Sequence, residues 1–549
     1  MQLYKSFCTE EFDENGAIKN FELKFNENYN FGYDVVDVLG ENEPDAKALV
    51  WCDTDGNEKE FTFSDISRLS GKAANVFLDH GVKKGDRVLV ILKRHYEYWY
   101  VAPALHKIGA IMIPATHMLT DDDIAYRIGA AKISFAVCTP EDEIPDKLKK
   151  AKAANPLLQE IFCVREINEG CIDLTGEMEK ASDMLSRIDT RADEPMLLYF
   201  TSGTTGYPKA VLHDHTYTLS HITTARYWQC VKEGGLHLTV AETGWGKASW
   251  GKIYGQWLCG CAVMVYDFDV FVPKDLLSVM ERYGVTSFCA PPTVYKYLVK
   301  SGMQKYELST LTHMTTAGEA MNKTVKDTVL KQSGISIREG FGQTESVLMI
   351  ANFENDDLTP CSMGRPSPLY DIRILKPDGT FATANEEGEI VVVPKEKQHG
   401  IFMGYYKNEE LYKRVWSGGV YHTGDIAYFD DTGCYFYVSR IDDVIKSRGF
   451  RIGPFEVETK LMEHPAVYDC AVIGIPDYER GQAVKAVVIL NEAYKNVHGI
   501  ADKIKREVNK KLAYYKRIHV VEIASDLPKT ISGKIRRTEL RNMWSRIIV

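Results

Sequence analysis

The sequence has no long apolar run. Its most apolar stretch, "WLCGCAVMVYDFDVFV", is interrupted by Asp267 and Asp269, and it is too short and too charged to span a bilayer. The start, "MQLYKSFCTEEFDENG", carries acids and no apolar h-region, which excludes a secretory signal. The 12 cysteines form no CxxC pair and no regular spacing, so neither a disulfide framework nor a zinc site is expected. Cys259 and Cys261, two apart in an apolar segment, read as buried core. These absences together point to a reduced, cytoplasmic protein without a membrane span. Positive charge is also in deficit: the formal net charge is -10, which argues against nucleic acid as the main partner. Internal repeats and low-complexity segments are missing. So is the Walker A spacing GxxxxGK[ST].

What is present is ample for more than one core. The chain has 549 residues, 45% of them apolar and 26% charged, so two or more soluble, folded domains are the default. Strand-like "DRVLVILK" is followed by helix-like "HYEYWYVAPALHKIG" and by a second strand, "AIMIPAT". The alternation recurs through "SFAVC", "EIFCV", "LHLTVAE", a helix through "WGKIYGQWLCG", "AVMVYDF", "PKDLLSVMERYG" and "TSFCAPP". Strands alternating with helices indicate parallel sheets covered on both faces, and the number of units indicates two layers. Near Tyr370 the texture changes. "YDIRILKPDGT", "GEIVVVP" and "GCYFYVSR" are short strands joined by turns such as "PDG" and "DDTG", an antiparallel signature. A charged stretch, "IDDVIKSRGFRIGP", then opens a tail of about a hundred residues, a normal size for a small domain. The predicted fold class is α/β: a large N-terminal domain, 1–440, of two βα-layered sheets plus a small antiparallel subdomain. A small, mobile α+β domain, 441–549, follows.

The stretch "TSGTTGYPK" comes directly after the apolar run "PMLLYF". Glycine lets backbone amides turn toward a ligand, hydroxyls add donors, and lysine adds a mobile charge, so the stretch reads as an anion cradle. A plain Ser/Thr/Gly surface loop is the competing reading. Its position at the end of a buried strand favours a phosphate loop.

"YFTSGTTGYPKAV" resembles the phosphate loop of the adenylate-forming superfamily, which includes acyl-CoA synthetases, luciferases and the adenylation domains of peptide synthetases. Five further stretches follow in that family's order: "TTAGEAM", "GFGQTES", "YHTGDIA", "SRIDDVIKSRGFRIGPFEVE" and "LPKTISGKIRR". The likeness is nearest to the medium-chain acyl-CoA synthetase branch, through "YNFGYDVVD" and "ETGWGKASWGKIYGQW".

The resemblance implies two half-reactions. ATP activates a carboxylate to an acyl-adenylate, and coenzyme A then displaces AMP. Thr201, Ser202, Gly203, Thr204, Thr205, Gly206 and Lys209 would hold the terminal phosphates. Gly318, Glu319 and Ala320 would line the adenine, and Phe341 would stack on it, where relatives usually carry tyrosine. Gly342, Gln343 and Thr344 continue the nucleotide site, with Thr344 at the α-phosphate and Glu345 as the Mg2+ ligand. Asp425 and Arg440 would meet the ribose, and Lys534 would bridge the carboxylate and the α-phosphate. Arg448, Gly449 and Phe450 would serve coenzyme A, with Arg451 also able to meet phosphate. One site cannot hold Lys534 and the Gly449 loop at once, so a pivot at Asp442 is expected.

Trp250, Tyr254 and Trp257 fall at helical spacing and read mostly as core. Trp245, after a glycine, and Lys247 are the candidates for an acyl pocket. The expected acid is small to medium, aliphatic and branched or straight, with an aryl acid as alternative. Two other readings remain: an adenylating enzyme that loads a carrier protein, and a nucleotide-binding protein that has lost catalysis. A homodimer is compatible with the sequence.

Overall fold

The computed structural model describes residues 1–201, 208–319, 321–448, 450–529 and 534–545. Two large sheets make up the body. In the eight-stranded sheet, Ile111–Pro114, Arg87–Ile91, Phe135–Cys138 and Glu160–Cys163 run parallel, and Pro195–Thr201 pairs antiparallel with Lys209–Asp214. In the nine-stranded sheet, Lys47–Asp53, Ala262–Asp267, Leu236–Thr239, Ser287–Cys289, His313–Ala317 and Ile337–Gly342 form a parallel run. Strands such as Arg87–Ile91 and Ala262–Asp267 are buried on both faces, as helix-covered parallel strands must be.

Between the sheets one apolar cluster joins Val88 and Val90 of the first sheet to Trp51 and Val263 of the second. The buried helix Tyr98–Lys107 and the helix Tyr254–Leu258 fill the layer. The helix Phe63–Asp79 starts at a reciprocal cap: the Thr62 hydroxyl accepts from the Asp65 amide, and the Asp65 carboxylate accepts from the Thr62 amide.

The single helix expected through "WGKIYGQWLCG" is in fact two, Gly246–Gly251 and Tyr254–Leu258. The Trp99 indole donates to the Lys252 carbonyl at 2.5 Å, which takes that acceptor out of the helical ladder. Trp250, Tyr254 and Trp257 are all buried, so they are core even though the helical phase breaks between them.

The antiparallel signature near Tyr370 becomes a four-stranded sheet of Asp371–Leu375, Gly388–Val393, Tyr421–Phe429 and Tyr435–Arg440. A single 3-10 turn, Ile441–Asp443, follows its last strand. Every strand of the five-stranded sheet comes after that turn. Its core is separate, built from residues such as Ile445, Val457, Val472 and Ile504. Among the described residues no helix is long and apolar enough to cross a membrane.

Candidate active site

Thr201 and Lys209 face each other across the hairpin made by Pro195–Thr201 and Lys209–Asp214. Ser202, Gly203, Thr204, Thr205 and Gly206, between them, lie outside the described residues, as do Ala320 and Gly449. The Lys209 ammonium lies 5.6 Å from the ring centre of Tyr405.

The end of Ile337–Gly342 supplies the next part. Phe341 is half-buried, with its ring centre 6.4 Å from that of Tyr437. A side chain on Gly342 would come within 2.5 Å of the Trp250 indole, so only glycine lets this strand end approach the core so closely. Gln343 then links two elements. Its amide donates to the Thr423 carbonyl at 2.8 Å and to Asp425 at 2.6 Å, and its oxygen accepts from the Tyr421 hydroxyl at 2.8 Å. Arg440 donates to the same Asp425 oxygen at 2.9 Å and to the Thr423 carbonyl at 3.1 Å. The Tyr437 hydroxyl donates to the other Asp425 oxygen at 3.3 Å. Burial pushes the Asp425 carboxyl above its usual range, and the Arg440 charge is the strongest force pulling it back.

Thr344 and Glu345 follow directly. The Thr344 carbonyl accepts from His213 Nε2 at 2.8 Å. His213 is buried, and burial depresses its imidazole to about 4. The neutral ring therefore carries its proton on Nε2. The Glu345 carbonyl accepts the Phe402 amide at 2.8 Å, and its carboxylate accepts the Tyr405 hydroxyl at 2.9 Å.

On the neighbouring strand end, Gly318 has φ of 101°, and a Cβ there would meet no atom within 4 Å. The turn is left-handed, and open space lies beside it. Burial pushes the Glu319 carboxyl up, opposed first by the Lys534 ammonium and then by that of Lys247. Lys247 is partly buried, and its ammonium donates to the Ala317 carbonyl at 2.8 Å. Burial lowers its pKa, Glu319 acts to raise it, and Lys534 to lower it. Trp245 occupies the position before the helix Gly246–Gly251 and is partly buried. Lys534 also acts on Asp425. The Lys534 charge thus acts both beyond the end of the strand His313–Ala317 and on the middle of the strand Tyr421–Phe429.

The other sequence-predicted residues lie apart from this group. Arg451 is exposed on the short strand Phe450–Ile452, and its charge acts on Glu387. Phe450 is half exposed, and its ring stacks on Tyr515 with centres 4.6 Å apart. Together with Ser447, Arg448, Arg480, Lys505 and Tyr514 it lines a cleft of about 250 Å³. Asp442 is exposed in the 3-10 turn, and its charge acts on Arg440. Its neighbour Asp443 is tied to Arg541 at 3.1 Å and to Arg537 at 3.6 Å.

Residues 37–406 match the model of the AMP-binding enzyme family, and residues 456–534 match that of the AMP-binding enzyme C-terminal domain. The chain belongs to the AMP-binding enzyme family.

Two curated relatives of this AMP-binding enzyme are similar over nearly the whole chain. The Mus musculus mitochondrial acyl-coenzyme A synthetase ACSM3 is 36% identical, over 98% of this chain and 95% of its own. The Homo sapiens mitochondrial acyl-coenzyme A synthetase ACSM4 is 36% identical, over 98% and 94%. Among solved structures, the anthranilate CoA ligase AuaEII in complex with anthranoyl-AMP superposes with a TM-score of 0.87 at 25% identity, covering 95% and 99% of the two chains.

These relatives correct the expected cytoplasmic location, because both curated proteins are named as mitochondrial. The cytoplasmic expectation rested on unpaired cysteines and on a start without an apolar h-region. Neither observation singles out the cytoplasm.

For this AMP-binding enzyme the sequence reading also missed four residues that hold the site: His213, Tyr405, Tyr421 and Tyr437. His213 and Tyr421 sit inside or beside motifs already singled out. Tyr405, in "MGYYKN", carried no local signal.

Proposed function

We propose that this chain is an AMP-forming acyl-CoA synthetase. It joins a small to medium-chain carboxylic acid to coenzyme A through an acyl-adenylate. The observation that carries this reading is the position of Lys534, which acts on Glu319, Lys247 and Asp425 from a segment more than a hundred residues away in sequence. A positive charge acting on the groups that border a nucleotide site is what a reaction between two anions requires.

In the first half-reaction, a substrate carboxylate oxygen bonds to the α-phosphorus of ATP. The bond to the bridging oxygen breaks, and pyrophosphate leaves. Thr201 and Lys209, with the loop between them, hold the terminal phosphates. Thr344 orients the α-phosphate, with its backbone fixed by His213. Asp425 and Arg440 take the ribose hydroxyls, Phe341 stacks on the base, and Gly318 and Glu319 border it. Lys534 steadies the negative charge where carboxylate and phosphate meet.

Glu345 fits a Mg2+ ligand: it is a single carboxylate beside the phosphate-binding residues, and Mg2+ usually combines one or two carboxylates with phosphate oxygens. Among the described residues no group of three acids, histidines or cysteines forms a complete protein-made metal cage, which suits an ion that arrives with the nucleotide. Bound there, Mg2+ supplies charge neutralisation at the phosphates.

In the second half-reaction, the segment 441–549 turns about Asp442 as a mobile C-terminal domain following domain 1–440. The coenzyme A sulfur bonds to the acyl carbon, the bond from that carbon to the adenylate oxygen breaks, AMP leaves, and the thiol proton passes to solvent. Arg448, Gly449 and Phe450 border the thioester-forming loop. The basic cleft that adds Arg480 and Lys505 suits the coenzyme A phosphates. Arg451, exposed in the first pose, becomes available to phosphate in the second. Trp245 and Lys247 border the acyl group.

Pyrophosphate release is to be measured with ATP and a panel of acids, with and without coenzyme A. Release dependent on an aliphatic acid, with thioester formed when coenzyme A is added, is the expected result. Release with no thioester supports a carrier-loading enzyme, and no release under any condition supports a binding protein. The panel includes benzoate and anthranilate, because an aryl-acid ligase superposes on the chain.

A further inference from the structure

The strand Gly404–Tyr405 is only two residues long and lies at the edge of the eight-stranded sheet. It is nonetheless tied to both charged ends of the candidate phosphate site. On one side, Tyr405 stands opposite Val211, two residues beyond Lys209, and the Tyr406 amide donates to the Ala210 carbonyl at 2.8 Å. On the other side, the Phe402 amide donates to the Glu345 carbonyl at 2.8 Å, and the Val347 amide donates to the Gly400 carbonyl at 2.9 Å. The Tyr405 side chain is buried and packs on Phe402, with ring centres 4.8 Å apart. Its hydroxyl donates to Glu345 Oε1 at 2.9 Å. Its ring lies 5.6 Å from the Lys209 ammonium, within the range of a cation–π attraction.

We infer that Tyr405 is a positioning residue that sets Glu345 and Lys209 for one metal–nucleotide complex: the hydroxyl fixes the carboxylate, and the ring face fixes the ammonium. The inference rests on the function proposed above, in which Glu345 serves Mg2+ and Lys209 serves phosphate. A carboxylate side chain has three rotatable bonds, and a hydrogen bond from a fixed phenol removes much of that freedom before the ligand arrives. With Oε1 occupied, the orientation of the second oxygen is set as well.

A purely structural Tyr405 would act through its ring alone, and substitutions separate the two roles. Tyr405→Phe keeps the ring and its packing, and removes one hydroxyl. Binding is followed by calorimetry in three forms: Mn2+ with ATP, Mg2+ with ATP, and ATP in chelator without metal. Tyr405→Phe is expected to weaken metal-dependent nucleotide binding about ten-fold, the scale of a hydrogen bond to a charged group. Metal-free ATP binding and the melting temperature should not change. In a Glu345→Gln background, Tyr405→Phe should add no further loss. Tyr405→Leu should also weaken metal-free ATP binding about three-fold, because Lys209 loses its ring partner. Unchanged metal-dependent binding in Tyr405→Phe, or a full additional loss in the Glu345→Gln background, overturns the inference and leaves the synthetase reading intact. If Glu345→Gln itself leaves metal-dependent binding unchanged, the metal assignment and this inference fail together, and the acid-dependent release assay still reports on the reaction class.

Discussion

The group around Asp425 in the large body and the cleft of segment 441–549 are both polar, yet they are built in opposite ways. Asp425 is buried and accepts from Gln343, Arg440 and Tyr437. Around the cleft, Phe450 is half exposed, Tyr478 at the nearby hairpin tip is fully exposed, and Arg448 is held at φ 50° beside Glu479. The first region has its partners within the protein and needs only to receive a ligand. In the second, large and charged side chains stand in solvent, where apolar exposure of this kind marks a surface that meets something else. The contrast teaches that one region has its polar partners in place before any ligand arrives, whereas the other leaves aromatic and charged side chains in solvent. A few contacts hold the present arrangement: the Tyr468 ring lies 4.4 Å from the Lys296 ammonium and 4.0 Å from that of Lys300.

The sharpest way to break this comparison is Lys534→Ala. Acid-dependent pyrophosphate release should fall about a hundred-fold or more, the scale of losing one donor at a developing charge. Conversion of supplied acyl-adenylate and coenzyme A to thioester should stay near the parent rate. If both half-reactions fall equally in folded protein, the two regions do not serve separate steps.

Asp442→Pro is the converse. Proline freezes φ at the turn between the regions, and hinges absorb their change at a few such residues. Thioester formation should fall about ten-fold with adenylation preserved, as read by the same two assays.

Next in size, the pair Arg480→Ala and Lys505→Ala should raise the KM for coenzyme A about ten-fold and leave the KM for ATP unchanged, because charge-assisted contacts to phosphate are lost from the cleft alone. Equal effects on ATP would place the cleft within the nucleotide site.

Trp245→Ala should shift preference toward longer acids by several-fold in kcat/KM, since removing an indole opens apolar volume. An unchanged chain-length profile would place Trp245 outside the acyl pocket.

The smallest effect is expected for His213→Asn, a few-fold rise in the KM for ATP through a less fixed Thr344. This residue also has a pH signature. Its folded pKa of about 4 lies below the usual 6.5, so the unfolded chain binds more protons between those values. The stability contributed by the neutral ring is full above pH 6.5 and lost as pH falls through 4. The substituted protein should therefore lose stability less steeply over that window, as read by urea midpoints.

The parallel strands were legible because burial on both faces forces continuous apolar runs such as "RVLVI" and "AVMVYD". The site was legible where a motif is local: Gln343, Thr344 and Glu345 are consecutive, and Asp425 lies in "HTGD". The break at Lys252 was not legible, since the indole that takes its carbonyl comes from Trp99, far away in the chain. Adjacent acids were equally opaque. Asp442 and Asp443 read alike in "RIDD", yet Asp443 is bound by Arg537 and Arg541, and Asp442 is exposed.

By itself the sequence determined the layered α/β architecture, the change of texture near Tyr370 and the identity of the residues in each motif, because periodicity and short-range spacing are properties of neighbouring residues. Only the tertiary structure decided which charges meet. It let the Lys534 charge act on Glu319 and Asp425, set Tyr405 between Glu345 and Lys209, and tied Lys247 to the Ala317 carbonyl. The physical reason is that electrostatic and hydrogen-bond partners are chosen by distance in space and by burial, and chain separation encodes neither.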